Sequence, residues 1–481
     1  MNDGFLDNTT LANRDVGGRR AFIASMTSIA AGGLMVSGCG PAQQAPPDDS
    51  SSSVAGKPYS PKKSDLRPAI PDREPLVRIR NRVIRVSDTT KAPEIVLGNK
   101  GQRLWVTTPE LQRPGRVMYG PLTIEAANGG WSLKTSGRRR NGLEQIKTAT
   151  PLAIAPIGPH PISYQGRPLL GTLRLIRRND RAQGDFDVVS HLPMESYLPG
   201  VLELELFSSW PSATFAAQAI AARSFAVCER AFWISRRHYD MVAGQASQAW
   251  TGGTASSSSL KAVQATHGQL LTWDKRVVPS YYSSACGGLP ASAIDEIGPN
   301  PMNNIPPLSI TSPSQKRLVN CCSGSPRAKW NYRGDLENMR SSLVKWAKRG
   351  GLSQLKNLTS LHSITVAARN PVGRPTRYVI RGSVRVECSP TELRRGLQDL
   401  RTSAGKKIRL TSDCLEFTPI EGGFRIDGRG NGHGVGLCQY GAAAMGKAGR
   451  TSQDILARYY PGATVVTAWD QTGQSRQYAN S

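Results

Sequence analysis

The chain changes its hydrophobic rhythm several times, and the changes divide it into segments. Residues 76–87, LVRIRNRVIRVS, alternate apolar and polar positions, and the same period returns in LTIEAA (122–127), GWSLKT (130–135) and GTLRLIRR (171–178). A period of two predicts short strands with one buried face, so residues 76–190 read as a β-rich region. The rhythm then switches to three and four. In TFAAQAIAARSFAVCERAFWISRR (214–237), Ala216, Ala219, Ile220, Arg223 and Val227 fall on roughly one face of a helix. Pro211 sits near the first turn, where a missing N–H costs nothing, and Ser208 or Ser209 is placed to cap it. Just before this helix lies a short acidic segment, LELELFSSWP, that holds Glu203 and Glu205.

Helical spacing recurs in residues 257–268, in 335–350, which ends at Gly350-Gly351, and in 451–460, capped by Thr451 or Ser452 and closed by Pro461-Gly462. Strands return in 361–369, 377–388, 407–420 and 423–430. The fold class expected is therefore α+β: β-rich domain or domains, a central alanine-rich helix and a few further helices. Residues 191–467 form the expected core, with 299–400 as an inserted or second subdomain. Residues 468–481 read as a disordered tail.

The first 39 residues read as an export signal. Arg19-Arg20 precede a short apolar run ending in small residues, too short and too rich in Gly and Ser for a membrane span. A twin arginine before such a run points to the Tat route, which carries folded proteins. Val36-Ser37-Gly38-Cys39 resembles a bacterial lipobox, so Cys39 is the expected lipidation site. Gly40 follows it where an Asp would retain the protein at the inner membrane. Residues 40–75, rich in Pro, Ser and charge, read as a flexible tether. The expected location is the cell envelope, lipid-anchored on the periplasmic side of the inner or outer membrane.

Charge and cysteine content narrow the choice of partner. The 61 Lys and Arg against 35 Asp and Glu leave a net charge of +26. That excess favours a polyanion: nucleic acid, an anionic membrane surface or an acidic wall polymer. No nucleic-acid signature accompanies it, and an export signal argues against that partner, so none is expected. Eight cysteines stand at 39, 228, 286, 321, 322, 388, 414 and 438, and none forms a CxxC pair. With Cys39 acylated, seven remain, so at least one thiol is unpaired within the chain.

A second cluster, GRGNGHGVGLCQYGAAAMGKAG (428–449), sets His433 between Gly432 and Gly434, near Arg429, Gln439 and Tyr440. Glycines on both sides free the backbone for tight turns. Two readings stay open for His433: a structural imidazole, or one that faces an open groove. Ser283, Ser284 and the Gly287-Gly288 pair form a turn whose backbone is able to approach a ligand, or an ordinary turn. No second His or carboxylate stands at ligand spacing to His433, so no metal and no cofactor are expected.

At these clusters the sequence resembles the SpoIID/LytB family of peptidoglycan-degrading proteins known from sporulation. LPMESYLPGVLELELFSSWPSATFAAQAIAARSFAV, YYSSACGGLPASA, and GRGNGHGVGLCQYGAAAMGKAG with DILARYYPGA are similar to its blocks, over roughly residues 76–467. The resemblance implies a lytic transglycosylase, a peptidoglycan lyase that acts on glycan strands. It implies a catalytic Glu five residues after the Gly of YLPGV, which is Glu205, and an active arginine within AIAARSF, which is Arg223. Glu203 falls where the family demands no carboxylate. Gln218, Ser283, Ser284, Gly287, Gly288, Arg429, His433, Gln439 and Tyr440 are the implied substrate-binding residues. Some members hold zinc with a Cys/His pair in the loop after the helix. Here that loop offers Val242 and Ala246, so no zinc is expected there. Cys286 and Cys438 stand where Ser is common in the family.

One carboxyl is enough for that chemistry, whereas hydrolytic glycosidases usually use two. The resemblance implies that Glu205 as an acid would protonate the glycosidic oxygen between MurNAc and GlcNAc. As a base it would then take the MurNAc C6 hydroxyl proton, giving a 1,6-anhydro end. Leu204, Leu206, Phe207 and Trp210 supply an apolar setting that raises its pKa. Arg223 is the expected partner of Glu205, with His433 and Gln439 lining the sugar groove. Wall hydrolases or amidases are possible partners. The competing expectation is a non-catalytic envelope lipoprotein that binds glycan or stimulates a wall amidase.

Overall fold

The computed structural model describes residues 66–472, apart from 85–93, 110–113, 128, 136–142, 147–149, 179–183, 245–246, 251, 254, 316–320 and 403–404. The expected export signal, Cys39 and most of the tether lie outside the described residues. The α+β class holds: sheets alternate with eight described helices. These are α1 (Met194–Glu205), α2 (Ser212–Trp233), α3 (Ser257–Ala265), α4 (Ala293–Glu296), α5 (Leu336–Lys348), α6 (Pro390–Gly396), α7 (Gln439–Lys447) and α8 (Ser452–Tyr459).

The alternating segments become strands as their period requires. Strand Leu76–Ile84 turns Val77 and Ile79 inward and pairs antiparallel with Phe186–Pro193. That sheet continues through Thr172–Arg177, Leu152–Pro156, Arg103–Thr107 and Arg116–Tyr119. A four-stranded sheet that includes Leu122–Ala127 and Gly130–Thr135 shares a core with it, built on Trp131, Leu133, Leu173 and Phe186. Phe186–Pro193 then runs directly into α1.

Helix α2 occupies the centre. Alanine is the strongest helix former and the smallest chiral side chain, so neighbours approach it from several sides. The helix touches α1, α3, α7, α8 and strand Gln269–Trp273. Every residue from Ala217 to Glu229 is buried. The expected single buried face is therefore a helix buried on all sides through its middle, with protein segments packed against its small residues. Its cap also differs from the expectation. Pro211 itself is the N-cap, with no side-chain cap hydrogen bond, and neither Ser208 nor Ser209 takes that role.

A second core lies later in the chain. Met339, Leu343, Tyr378, Ile380, Leu393, Phe424 and Ile426 cluster between α5, α6 and two three-stranded sheets. It runs past residue 400, the end expected for the inserted region, because strand Gly423–Arg429 pairs with Lys329–Asp335 and closes it. That strand then delivers the glycine-rich segment 430–438 to the core around α2, where Val435, Leu437 and Cys438 are buried with Ile220 and Phe225. There Leu437–Cys438 pairs in parallel with Tyr282–Ser283.

Both ends of the described chain pack more firmly than their composition suggested. Residues 66–75, expected as tether, include the buried Arg67, which donates to the Trp273 carbonyl at 2.7 Å. Glu74 accepts the Glu195 N–H at 2.9 Å, placing an acceptor at the α1 N-terminus where unpaired N–H groups need one. Ala468 and Trp469, expected in the tail, are also buried. No described helix is long and apolar enough to cross a membrane. Replacing Trp469 by Ala is expected to cost about 3–5 kcal/mol in a denaturant titration, the usual loss for a buried aromatic. Trp469→Phe should lose less.

Candidate active site

Glu205 is the last residue of α1, which the sequence presented as an acidic segment and the structure shows as helix. At that end the helix carries a partial negative charge, so an ionised carboxylate is disfavoured. The side chain is half-buried. Its Oε1 accepts the Ala249 N–H at 3.1 Å, and its Oε2 accepts the Gln439 side-chain amide at 3.0 Å. Burial raises the Glu205 pKa above the ordinary carboxylate value, and the two hydrogen bonds only partly oppose the shift. Phe207, Trp210 and Tyr440 form an aromatic wall nearby, with Trp210 and Tyr440 rings 5.1 Å apart at 73°.

The donors around Glu205 are positioned by packing. The Gln248 side chain donates to the Ala222 carbonyl of α2 at 3.1 Å and so fixes the loop that carries Ala249. Trp250 packs on Tyr197 of α1, with rings 5.7 Å apart. Gly200 makes that packing possible: a Cβ there would lie 2.9 Å from the Trp250 indole nitrogen. Gln439 opens α7, and its neighbour Tyr440 donates its N–H to the Ser284 carbonyl at 3.1 Å. Glu203 serves elsewhere: it accepts the Ser256 N–H at 2.9 Å and the Ser259 hydroxyl at 3.3 Å, beside the α3 N-terminus.

Arg223 is not hydrogen-bonded to Glu205. It forms a forked pair with Glu195, Nε at 2.9 Å from Oε1 and a terminal nitrogen at 2.7 Å from Oε2, and donates to the Gln269 carbonyl at 3.1 Å. Its side chain is fully buried. Glu195 also accepts the Gly268 N–H and the Trp469 indole N–H, each at 3.1 Å. The expected partner of Glu205 is thus the internal tie between α1, α2 and the strand after α3. Sequence reasoning missed Glu195, although a carboxylate in the first turn of α1 is the available signal.

His433 does not face an open groove. It is 4% exposed. Its Nδ1 accepts the Val435 N–H at 3.0 Å, which leaves Nε2–H to donate to the Tyr282 carbonyl at 3.0 Å. Burial, helped by the Arg374 charge, lowers its pKa to about 4, so the ring is neutral near pH 7. Ser283 is buried with its hydroxyl accepting the Gly434 N–H at 3.2 Å. Gly287 has φ +65°, and a Cβ there would sit 2.7 Å from the Arg429 Cβ, so the pair Gly287-Gly288 serves a close backbone approach within the protein. Arg429 ends its strand beside that turn, half-buried. Gln218 is completely buried on α2, and both its amide atoms lack a hydrogen-bond partner among the described residues. Val242 lies in the short strand Met241–Val242, and Ala246 lies outside the described residues. Of the expected site residues, Gln439 and Tyr440 meet around Glu205, with Ser284 behind them. Arg223, Gln218, His433 and Ser283 are interior.

An α+β protein with one half-buried carboxyl between an amide and an aromatic wall is the class that fold and site define. Residues 182–273 match the family model SpoIID, described as Stage II sporulation protein. An uncharacterized protein of Brachyspira hyodysenteriae is 25% identical over 62% of this chain and 72% of its own length. The Amidase enhancer of Bacillus subtilis is 26% identical over 71% of this chain, which spans only 50% of that relative. Stage II sporulation protein D of Bacillus subtilis is 25% identical over 58% of this chain and 76% of its own length. Residues 182–273 thus carry the likeness to the SpoIID family.

Removing one partner of a buried ion pair strands the other charge. Arg223→Ala should therefore destabilise the fold by about 3–5 kcal/mol. A purely catalytic arginine would leave the unfolding midpoint unchanged. His433→Asn tests the second interior group. Its folded pKa near 4 lies below the unfolded value, so its stability contribution is present above pH 6.5 and is lost as pH falls through 4. The variant should flatten that part of the stability–pH curve.

Proposed function

We propose that this chain is a peptidoglycan-cleaving lytic transglycosylase in which Glu205 acts first as acid and then as base. The SpoIID match over residues 182–273 and the relatives named for sporulation support a cell-wall related role and an extracytoplasmic location. The finer reading rests on one observation: a single carboxyl that burial holds toward its neutral form, with two N–H donors ready for its ionised form. Neutral Glu205 donates its proton to the glycosidic oxygen as the C1–O bond breaks. The resulting carboxylate accepts hydrogen bonds from Ala249 and Gln439 while it takes the C6 hydroxyl proton. The C6 oxygen bonds to C1, closing the 1,6-anhydro ring and returning the proton to Glu205, with no water consumed. A pKa raised toward the working pH suits a group that must both give and take a proton.

The neighbouring side chains support the same reading. Phe207, Trp210 and Tyr440 offer apolar ring faces to a sugar, and the Ser284 carbonyl accepts the Tyr440 N–H behind them. Arg223 acts as a positioning residue through Glu195 and α1. The excess of basic residues suits a wall polymer that bears carboxylates. Anchoring through a lipidated Cys39 would hold the enzyme at the envelope beside other wall hydrolases. The relative named Amidase enhancer motivates a second reading, a non-catalytic protein that binds glycan or stimulates an amidase.

Glu205→Gln separates the two. The wild-type protein should release anhydro-ended glycans from purified peptidoglycan, and the variant should release none while still binding wall. Wall binding by both proteins, with no anhydro product from either, would sink the catalytic reading. The pH dependence has a definite sign. The raised folded pKa means that ionising Glu205 costs stability, a cost absent below the unfolded pKa and growing as pH rises through the folded value. Glu205→Gln should therefore gain stability over the wild type across that window, then hold a constant advantage above it.

A further inference from the structure

Four cysteines meet at one place, on three segments far apart in the chain. Cys286 follows the Ser283-Ser284 turn, Cys321 and Cys322 lie in the loop before strand Lys329–Asp335, and Cys438 is the N-cap of α7. The sulfurs of Cys286, Cys322 and Cys438 are buried and lie within 4.8 Å of one another. The sulfur of Cys321 stands 3.8 Å from that of Cys286. A tetrahedral zinc tetrathiolate, with Zn–S bonds of about 2.3 Å, has sulfur–sulfur edges of about 3.8 Å.

Two features of the backbone face the Cys438 sulfur. The Cys286 N–H points at the Cys438 sulfur, 3.4 Å away. Cys438 stands at the N-terminus of the nine-residue α7, whose partial positive charge stabilises an anionic sulfur. A disulfide would consume two of the four and leave two thiols pressed against it. An iron–sulfur cluster spreads its cysteines around a core of several atoms, wider than this spacing.

We propose that Cys286, Cys321, Cys322 and Cys438 bind one zinc ion in a closed, structural site. Each thiol gives its proton to solvent as the ion exchanges water for sulfur, with no change of oxidation state. Four protein ligands leave no open position for water, so the ion ties segments together and takes no part in bond cleavage. The segments it ties are those that set the Glu205 surroundings. Cys438 directly precedes Gln439, whose amide reaches Glu205, and Cys286 lies just after Ser284, which holds the Tyr440 backbone. The site involves none of the residues of the loop after α2, and the proposal does not depend on the reaction assigned to Glu205.

Metal content tests it without any activity assay. The full chain, purified with a reductant and without chelator, should carry about one zinc per molecule by mass spectrometry of its metals. Exchange for cobalt(II) should give thiolate-to-metal charge-transfer absorption and the visible bands of a tetrahedral ion. Cys322→Ser and Cys438→Ser should lower the zinc content to below about a tenth of that, while Cys388→Ser, outside the cluster, should retain it. The cobalt spectrum of the wild type decides the question even if the variants fail to fold. Absence of bound metal after reconstitution, an iron–sulfur chromophore, or a disulfide joining Cys286 to any of the other three in protein purified without reductant would each overturn the proposal.

Discussion

The arrangement depends on the buried pair between Arg223 and Glu195. Glu195 lies in the first turn of α1, and Glu205 is its last residue. Ten residues of helix separate them, about 15 Å at 1.5 Å per residue. The forked contact fixes one end of α1 to α2 and to the Gln269 backbone, and the same carboxylate collects Gly268 and Trp469. With that end immobile, the other end presents Glu205 at a set height against the Ala249 loop. A fork on a carboxylate fixes angle as well as distance, which a lysine would not do.

The second constraint comes from the far end of the chain. Gln439 is 234 residues from Glu205 in sequence. It reaches the carboxyl only because strand Gly423–Arg429 leaves the second core and the following segment returns along Tyr282–Ser283. His433, Ser283 and Arg374 fix that return: Arg374 donates to the carbonyls of Leu289 and His433 and pairs with the buried Glu296. The glycine-rich block is therefore a buried splice between two cores. Its histidine works as a neutral bracket of hydrogen bonds.

What the sequence made legible was local. The period of two found strands such as Leu76–Ile84, and helical spacing found α2, α3, α5 and α8, with Thr451 capping α8 as its position suggested. Helix α1 was hidden because Pro199 and Gly200 interrupt it and LELEL alternates like a strand. Helix α7 was hidden by its glycines. Partnerships were hidden for a different reason. Arg223 and Glu205 share a neighbourhood in sequence, yet the charge that meets Arg223 is Glu195, and periodicity carries no information on which of three nearby carboxylates faces a buried arginine. The cysteine convergence spans 152 residues between Cys286 and Cys438 and follows no short spacing rule. Glu205 and Gln439 were legible as residues through family resemblance, but their contact belongs to the fold.

Burial of Glu205 has a meaning that the net charge of +26 would not suggest. In so basic a protein, a carboxyl could easily acquire a cationic neighbour, which would lower its pKa. The interior arginines are instead committed elsewhere: Arg223 to Glu195, Arg374 to Glu296, Arg394 to Asp413. The two donors at Glu205 are neutral N–H groups, and no arginine or lysine contributes to its shift. Neutral donors hold a carboxylate in place without forcing ionisation as strongly as a guanidinium would. The fold thus tolerates a partly desolvated acid at a helix C-terminus, where an amide would be more stable. Such a local cost is characteristic of groups kept for chemistry. The same logic separates Glu205 from Glu203, whose Oε2 accepts hydrogen bonds from Ser256 and Ser259 at the start of α3.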